Sequence, residues 1–158
     1  MKRFALLFLA ACGGSDTTTD AGTDAHAETT ASSDAATDGA TSASSAASPS
    51  TACNASGLYI ATSAGTLTCG SPLSTQLVKP YLQLRLPSTT AGTYTVSSDC
   101  AQGGNVVEAM YDDAQGTHDA VSGTVTIATL GASDVTGSYD LDFGTTKLKT
   151  SFDALYCP

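Results

Sequence analysis

One segment of this sequence, in which a histidine lies among acids, has residue types that could take part in chemistry. His118 follows Asp112 and Asp113 and directly precedes Asp119. Clustered carboxylates bind Ca²⁺, and a histidine beside an acid can transfer protons. The spacing lacks the Glu that ends an EF-hand loop. We therefore predict a solvated hairpin turn with Gly116 at its tight position and no metal site. The three aspartates remain weak candidates for Ca²⁺ binding.

A second pair of carboxylates, Asp140 and Asp142, lies two residues apart. Paired carboxylates can hydrolyse glycosides. Here they alternate with Tyr139, Leu141 and Phe143, as on the solvated face of a β-strand. The sequence also lacks the G-x-S-x-G pattern of a serine hydrolase. We predict that the protein is not an enzyme and keep a hydrolase as the least favoured alternative.

Four of the five cysteines lie in the last two thirds of the chain, at Cys53, Cys69, Cys100 and Cys157. An even number in an exported domain indicates two disulfides. A zinc site is the alternative, but no C-x₂-C pair is present. Four cysteines allow three pairings. We favour Cys53–Cys69, which would close a small hairpin, together with Cys100–Cys157.

The fifth cysteine, Cys12, ends a short apolar segment that follows Lys2 and Arg3. This segment is far shorter than the ~20 residues that a membrane-spanning helix needs. It matches the apolar region of a secretory signal peptide, which ends in small residues. Two alternatives are a buried N-terminal element of the folded domain and a signal peptide without lipid attachment.

Leu9-Ala10-Ala11-Cys12 resembles the lipobox of bacterial lipoproteins. The resemblance implies that residues 1–11 are a signal peptide and that cleavage occurs before Cys12. Cys12 would then carry a thioether-linked diacylglycerol and an N-acyl chain such as palmitate, with no other cofactor. These chains would hold the protein in the lipid bilayer. Gly13 stands where Asp often marks retention in the inner membrane, so we expect the outer membrane, facing the periplasm or the cell surface.

Residues 12–52 have the composition of a tether. After Cys12 they are almost all Ala, Ser, Thr, Asp and Gly, without Leu, Ile, Val or an aromatic residue. Such a segment cannot bury enough apolar surface to offset the entropy of ordering. We predict a disordered linker of about 40 residues with an end-to-end distance of roughly 35 Å.

Residues 53–158 have the composition of a folded domain of ordinary size. Apolar residues alternate with polar ones, as in 81–86, where three leucines share one face. Turn signals separate the runs, which indicates an all-β domain, an antiparallel β-sandwich or open barrel of about seven or eight strands. An α+β fold is the alternative, with a helical turn allowed only within 71–78. The predicted strands cover 58–62, 66–69, 81–86, 92–97, 106–111, 124–129, 138–143 and 148–156.

The end of the chain has a recognisable pattern in three segments. Residues 122–127 read SGTVTI, 135–143 read VTGSYDLDF and 150–157 read TSFDALYC. They are similar to the "SGTVT … GSFDLTF … GSFDAPxC" endings of uncharacterised bacterial lipoproteins, notably of the myxobacterial type. The chain departs from that pattern at Thr150, where a glycine is expected, and at 155–156. The resemblance implies consecutive β-strands and carries no known chemistry.

The charge balance limits the partners that the protein could bind. The chain carries a formal net charge of −9, and residues 53–158 contain nine acids and four bases. This excess of acids disfavours nucleic acid and anionic membrane surfaces. We predict a membrane-anchored lipoprotein that is a structural or interaction module at the cell envelope and contacts an envelope protein or glycan. A ligand-, glycan- or Ca²⁺-binding module is the alternative.

Overall fold

The structure is a computed structural model that describes residues 43–53 and 56–158. These residues form β-strands and two short 3-10 turns, with no α-helix among them. The all-β prediction is therefore confirmed for the described chain. The 3-10 turns are Leu73–Thr75 and Cys100–Gln102, and the strands are β1 (Ser44–Ser50), β2 (Gly57–Ser63), β3 (Tyr81–Leu86), β4 (Gly92–Val96), β5 (Val106–Asp112), β6 (Thr117–Asp119), β7 (Ser122–Leu130), β8 (Asp134–Asp142) and β9 (Lys147–Tyr156).

Eight strands form a closed hydrogen-bonded circuit. Their order is β3-β2-β1-β9-β8-β7-β4-β5, and β5 pairs with β3 to close it, while the short β6 pairs with β5. Six of the eight pairings in the circuit are antiparallel, but β1–β9 and β4–β5 are parallel. The expectation of antiparallel pairing throughout is wrong at these two places, where each parallel contact spans only two residue pairs.

Most strands lie where the alternation of the sequence places them. The run 81–86 is β3, and the runs beginning at 58, 92, 106, 124, 138 and 148 lie largely within β2, β4, β5, β7, β8 and β9. The helical turn allowed within 71–78 is the 3-10 turn Leu73–Thr75. The strand expected at 66–69 is absent from the described chain, and β6 was not predicted.

Strand β1 corrects the predicted boundary between tether and domain. Its sequence, SSAASPS, lies inside the segment expected to be disordered up to residue 52, yet it pairs with β2 over seven residues. Ala46 and Ala47 are fully buried on opposite faces of the strand. Strand β1 is buried through small side chains and contains no bulky apolar residue. Its composition therefore does not differ from that of the tether and does not predict burial. The folded domain thus begins near residue 44 rather than at Cys53; residues 1–42 lie outside the described chain.

The main core fills the inside of the circuit. Its side chains alternate along the strands, so that Leu82, Leu84 and Leu86 of β3 point inward together. Tyr139, Leu141 and Phe143 are also buried, as the alternation predicted, while Asp140 is exposed. Gly137 of β8 is required here, because a Cβ atom would strike the backbone carbonyl of Thr126 and the ring of Phe152.

A second, smaller core lies on the outer face of β1 and β2. Residues 64–80 cross this face and bury Leu67 and Leu73 against Ala46, Tyr59 and Ala61. The segment is held in shape by the Gln76 side chain, which accepts from Thr68 N at 2.9 Å and donates to the carbonyl oxygens of Thr68 and Ser71 at 2.9 Å. The residues expected to form a hairpin strand therefore act as a cover.

All four cysteines of the domain form disulfides, as predicted, but the favoured pairing is wrong. The bonds are Cys53–Cys100 and Cys69–Cys157. Cys69 belongs to the covering segment, which reaches the end of β9, rather than to a hairpin with Cys53. Cys53 follows β1 directly and meets the 3-10 turn that contains Cys100. Each bond joins distant parts of the chain, with sequence separations of 47 and 88 residues.

Candidate functional site

The segment around His118 is the turn of the β5–β6 hairpin. Asp113 Oδ1 accepts hydrogen bonds from Gln115 N at 2.8 Å and from Gly116 N at 3.2 Å. Gly116 has a φ of 134°, which glycine adopts without strain. His118 Nε2 lies 3.4 Å from the same Asp113 oxygen. Asp113 thus caps the turn and His118 lies just after it on β6, which confirms the predicted hairpin.

Asp112 has a different role, at the closure of the strand circuit. It pairs with Tyr81 across β3 and β5. Its Oδ2 accepts from the Tyr81 hydroxyl at 2.6 Å, and its Oδ1 lies 2.7 Å from Lys79 Nζ. The Lys79 ammonium and the hydrogen bond from Tyr81 hold the pKa of this carboxyl below its ordinary value. Asp112 is buried, and its negative charge is compensated by Lys79. The carboxylate is therefore not positioned to bind an ion from solvent.

The three aspartates proposed as weak Ca²⁺ candidates are not brought together. Asp112 is ion-paired with Lys79 and Asp113 caps the turn, whereas Asp119 lines a groove further along β5. Among residues 43–53 and 56–158, no group of three or more His, Cys, Asp or Glu side chains could hold a metal ion. The structure therefore does not assemble the weak candidate set into one cluster.

Asp140 and Asp142 each contact a separate lysine of β9. Asp140 Oδ2 accepts from Lys149 Nζ at 2.7 Å, and this hydrogen bond raises the pKa of Lys149. Asp142 Oδ2 lies 3.1 Å from Lys147 Nζ, and its other oxygen accepts from Gly144 N at 2.7 Å. The Gly144 amide and Lys147 lower the pKa of Asp142. The two carboxylates thus act as cross-strand partners on the solvated face.

The proposed lipidation site, Cys12, lies outside the described residues, as do the signal peptide and most of the tether. Within the described residues, no helix has the length and apolar character needed to cross a bilayer.

The strongest candidate for a functional site is a groove on the outer face of β2, β3 and β5. Two neighbouring depressions share Gln83 and Arg85 of β3 as a common wall. These residues alternate with the three inward leucines of β3, so their side chains lie on the outer face. We call the two depressions together the β3 groove.

The first depression has a volume of about 210 Å³ and lies where β4 and β6 separate along β5. Ser97, just past β4, donates its amide to the Val107 carbonyl, and Ala120, just past β6, donates to the Ala109 carbonyl. Glu108 lies between these two attachment points. The depression forms because neither neighbouring strand covers this position; its walls are Gln83, Arg85, Ser97, Ser98, Glu108, Ala109, Met110, Asp119 and Ala120.

The second depression has a volume of about 390 Å³ and is bounded by the end of β1 and the 3-10 turn at Leu73–Thr75. Its walls are less polar than those of the first. They are Ser48, Pro49, Ser50, Ala52, Tyr59, Pro72, Leu73, Ser74, Gln83 and Arg85.

A hydrogen-bond network fixes Gln83 in the common wall. Its Oε1 accepts from the buried Tyr59 hydroxyl at 2.9 Å. Burial raises the pKa of Tyr59 to about 12, although the positive charge of Arg85 opposes this rise. Tyr59 therefore stays a neutral donor at neutral pH. The pKa of the neighbouring Tyr81 is raised, chiefly by its hydrogen bond to Asp112, while the Gln83 amide opposes this rise.

Arg85 faces Glu108 across the β3–β5 pairing. Arg85 Nη1 lies 3.7 Å from Glu108 Oε2, which is too long for a hydrogen bond. Glu108 Oε1 instead accepts from Cys100 N at 3.2 Å. The Arg85 guanidinium therefore keeps hydrogen-bonding capacity towards the groove, and the 3-10 turn holds Glu108 in place.

The β3 groove was not predicted from the sequence. The alternation of 81–86 predicts that three leucines share one face, but it does not separate Gln83 and Arg85 from other solvated strand residues. Gln83 is in fact only 7% exposed. The partners of these residues come from β1, β2, β5 and the segment 64–80. The only signal in the sequence was a glutamine and an arginine on a strand otherwise made of leucine and tyrosine.

Comparison with known proteins finds no match to any family model, to any curated protein or to any solved structure. The function is therefore inferred from the residues and geometry above.

Proposed function

We propose that the chain is a bacterial lipoprotein, anchored through lipid on Cys12, whose β-domain is a binding and interaction module at the cell envelope. The observation that carries the proposal is the use of all four domain cysteines in two disulfides. Disulfides form and persist in oxidising compartments such as the bacterial periplasm. They support export independently of the N-terminal residues, and export is what the lipobox-like segment before Cys12 requires.

The position of β1 shortens the proposed tether. With the domain beginning near Ser44, roughly 30 residues separate it from Cys12. A flexible chain of that length has an end-to-end distance of about 30 Å. This reach suits a domain held just clear of the membrane, and we place the anchor in the outer membrane because Gly13 follows Cys12.

We further propose that the module acts by binding rather than by catalysis, with an envelope glycan or protein as partner. The carboxylates considered for hydrolysis, Asp140 and Asp142, are each paired with a lysine. The β3 groove offers recessed polar groups held by neighbouring side chains.

The closed order of the eight strands favours describing the domain as a barrel rather than a sandwich.

Metabolic labelling tests the anchor. The full chain and a Cys12→Ala variant are expressed in a Gram-negative host with a clickable palmitate analogue, followed by membrane fractionation. We expect label and membrane association in the unmodified chain and loss of both in the variant. A chain with Cys53→Ala and Cys100→Ala is the control, because it removes cysteines but keeps Cys12 and its label. Equal labelling of the Cys12→Ala variant, or no labelling of the unmodified chain, contradicts the proposal.

A further inference from the structure

We infer that the β3 groove binds a neutral, linear saccharide through Gln83, Arg85, Glu108 and Asp119. The inference rests on the proposed role as an envelope binding module and names the ligand class of that role. Three properties of the groove support it: the hydrogen-bond donors and acceptors that line the groove, the rigidity of these groups and the shape of the groove.

The first depression offers donors and acceptors side by side. Gln83 and Arg85 contribute N–H donors, Glu108 contributes carboxylate oxygens, and Asp119 adds a second carboxylate at the far wall. Ser97 and Ser98 can donate or accept. A sugar hydroxyl is itself both donor and acceptor, so neighbouring hydroxyls can satisfy such a mixed set. An apolar ligand would leave these groups without partners, which is unfavourable.

Charge selects against an anionic ligand. Two carboxylates and one guanidinium line the first depression, and the surrounding domain has more acids than bases. An anion that approached Arg85 would also approach Glu108, whose Oε2 is 3.7 Å from the guanidinium. A neutral ligand avoids this repulsion while still accepting hydrogen bonds from Arg85.

The recognition groups are held in place before any ligand arrives. The Tyr59 hydroxyl fixes the amide of Gln83, and the Cys100 amide fixes the carboxylate of Glu108. Cys100 is in turn joined to Cys53. Ordering flexible side chains opposes binding, so a pre-positioned set favours affinity for a ligand with few strong contacts.

The shape of the groove favours a chain rather than a single compact sugar. The depressions of about 210 and 390 Å³ adjoin at Gln83 and Arg85. The second carries apolar surface from Pro49, Pro72 and Leu73, against which the C–H faces of sugar rings can pack. A linear oligosaccharide can place hydroxyls in the first depression and a ring over the second.

Calorimetric titration of the full lipidated chain tests the inference, in a detergent without a sugar headgroup. The probes are three neutral hexasaccharides: β-1,4-linked N-acetylglucosamine, β-1,4-linked glucose and α-1,4-linked glucose. We expect at least one to bind and the Arg85→Ala variant to bind it at least tenfold more weakly. Thr126→Ala is the matched control, because Thr126 lines a separate depression on β7 and β8 and should leave binding unchanged.

Each outcome decides the question. Binding that weakens in Arg85→Ala but not in Thr126→Ala supports the inference, provided that both variants keep the unmodified melting temperature. Arg85→Lys, which keeps the charge but not the planar fork, resolves the case in which Arg85→Ala fails to fold, and should also weaken binding. No heat with any hexasaccharide, equal affinity in both variants, or tighter binding of polygalacturonate overturns it. The titration does not depend on the lipid, so a Cys12→Ala chain that binds saccharide while losing palmitate label separates this inference from the proposed anchor.

Discussion

Strand β1 gives the most decisive test of the fold. The composition of the sequence assigns this strand to a disordered tether, whereas the structure places it in the sheet. Ala47 is fully buried in the main core, whereas Ala52, five residues later, is exposed. Both alanines lie in the segment that composition assigns to the tether. Replacing each with aspartate makes the same chemical change in the two environments.

The expected cost follows from the burial of Ala47. An aspartate there would place a carboxylate among apolar side chains without a cationic partner, and an uncompensated buried charge costs about 3–5 kcal/mol. For a domain of this size, about 3 kcal/mol lowers the melting temperature by roughly 12 °C. Ala52→Asp should change the free energy of unfolding by less than about 0.5 kcal/mol, as exposed substitutions do.

Thermal unfolding followed by circular dichroism at pH 7 measures both variants against the unmodified chain. Ala47→Ser is a milder variant should Ala47→Asp fail to accumulate, and it should also melt below Ala52→Ser. Equal melting temperatures for Ala47→Asp and Ala52→Asp would refute the placement of β1 in the sheet and restore the tether to residue 52.

Three further variants test the rest of the fold. Replacing Cys53 and Cys100 together with alanine should cost about 4 kcal/mol on the chain-entropy model for a separation of 47 residues, seen as a lower urea midpoint, and an unchanged midpoint would contradict the pairing. Gly137→Ala should destabilise by about 2–3 kcal/mol, because strand β7 occupies the space of the new methyl group, and a melt equal to that of the unmodified chain would argue against the β7–β8 register. Asp112→Asn should lower the melting temperature at pH 7. The folded pKa of Asp112 is depressed by Lys79, so its stabilisation is present above the ordinary value of 3.8 and is lost as pH falls below it; the two melting curves should therefore converge in acid, and a difference that persists at low pH would contradict this role.

The strands that the sequence predicts well are those whose alternation decides burial. Leu82, Leu84 and Leu86 can enter one core only if 81–86 is extended, and β3 has those bounds. The same argument held for 138–143, of which all but Phe143 lies in β8. Period-two patterning therefore identified the large inward side chains, because their burial contributes most of the driving force for folding.

The strand that the sequence misses is the one whose side chains are too small to produce a pattern. Ala46 and Ala47 are both buried, so β1 shows no alternation of apolar and polar residues. Its stability comes from backbone pairing with β2 and from cover supplied by residues 64–80. Neither can be deduced from composition, which made β1 indistinguishable from the tether before it.

The disulfide pairing and the β3 groove were missed for a related reason. Both depend on where residues 64–80 lie, and the strand predicted within that segment at 66–69 does not form. By crossing the outer face of β1 and β2, it carries Cys69 to Cys157 and supplies one wall of the groove at Leu73. The Cys53–Cys100 bond then fixes the 3-10 turn whose amide holds Glu108. The features that would give the domain a binding surface thus arise from the irregular segments that the disulfides restrain, so a reduced protein should lose the geometry of the groove before it loses the core.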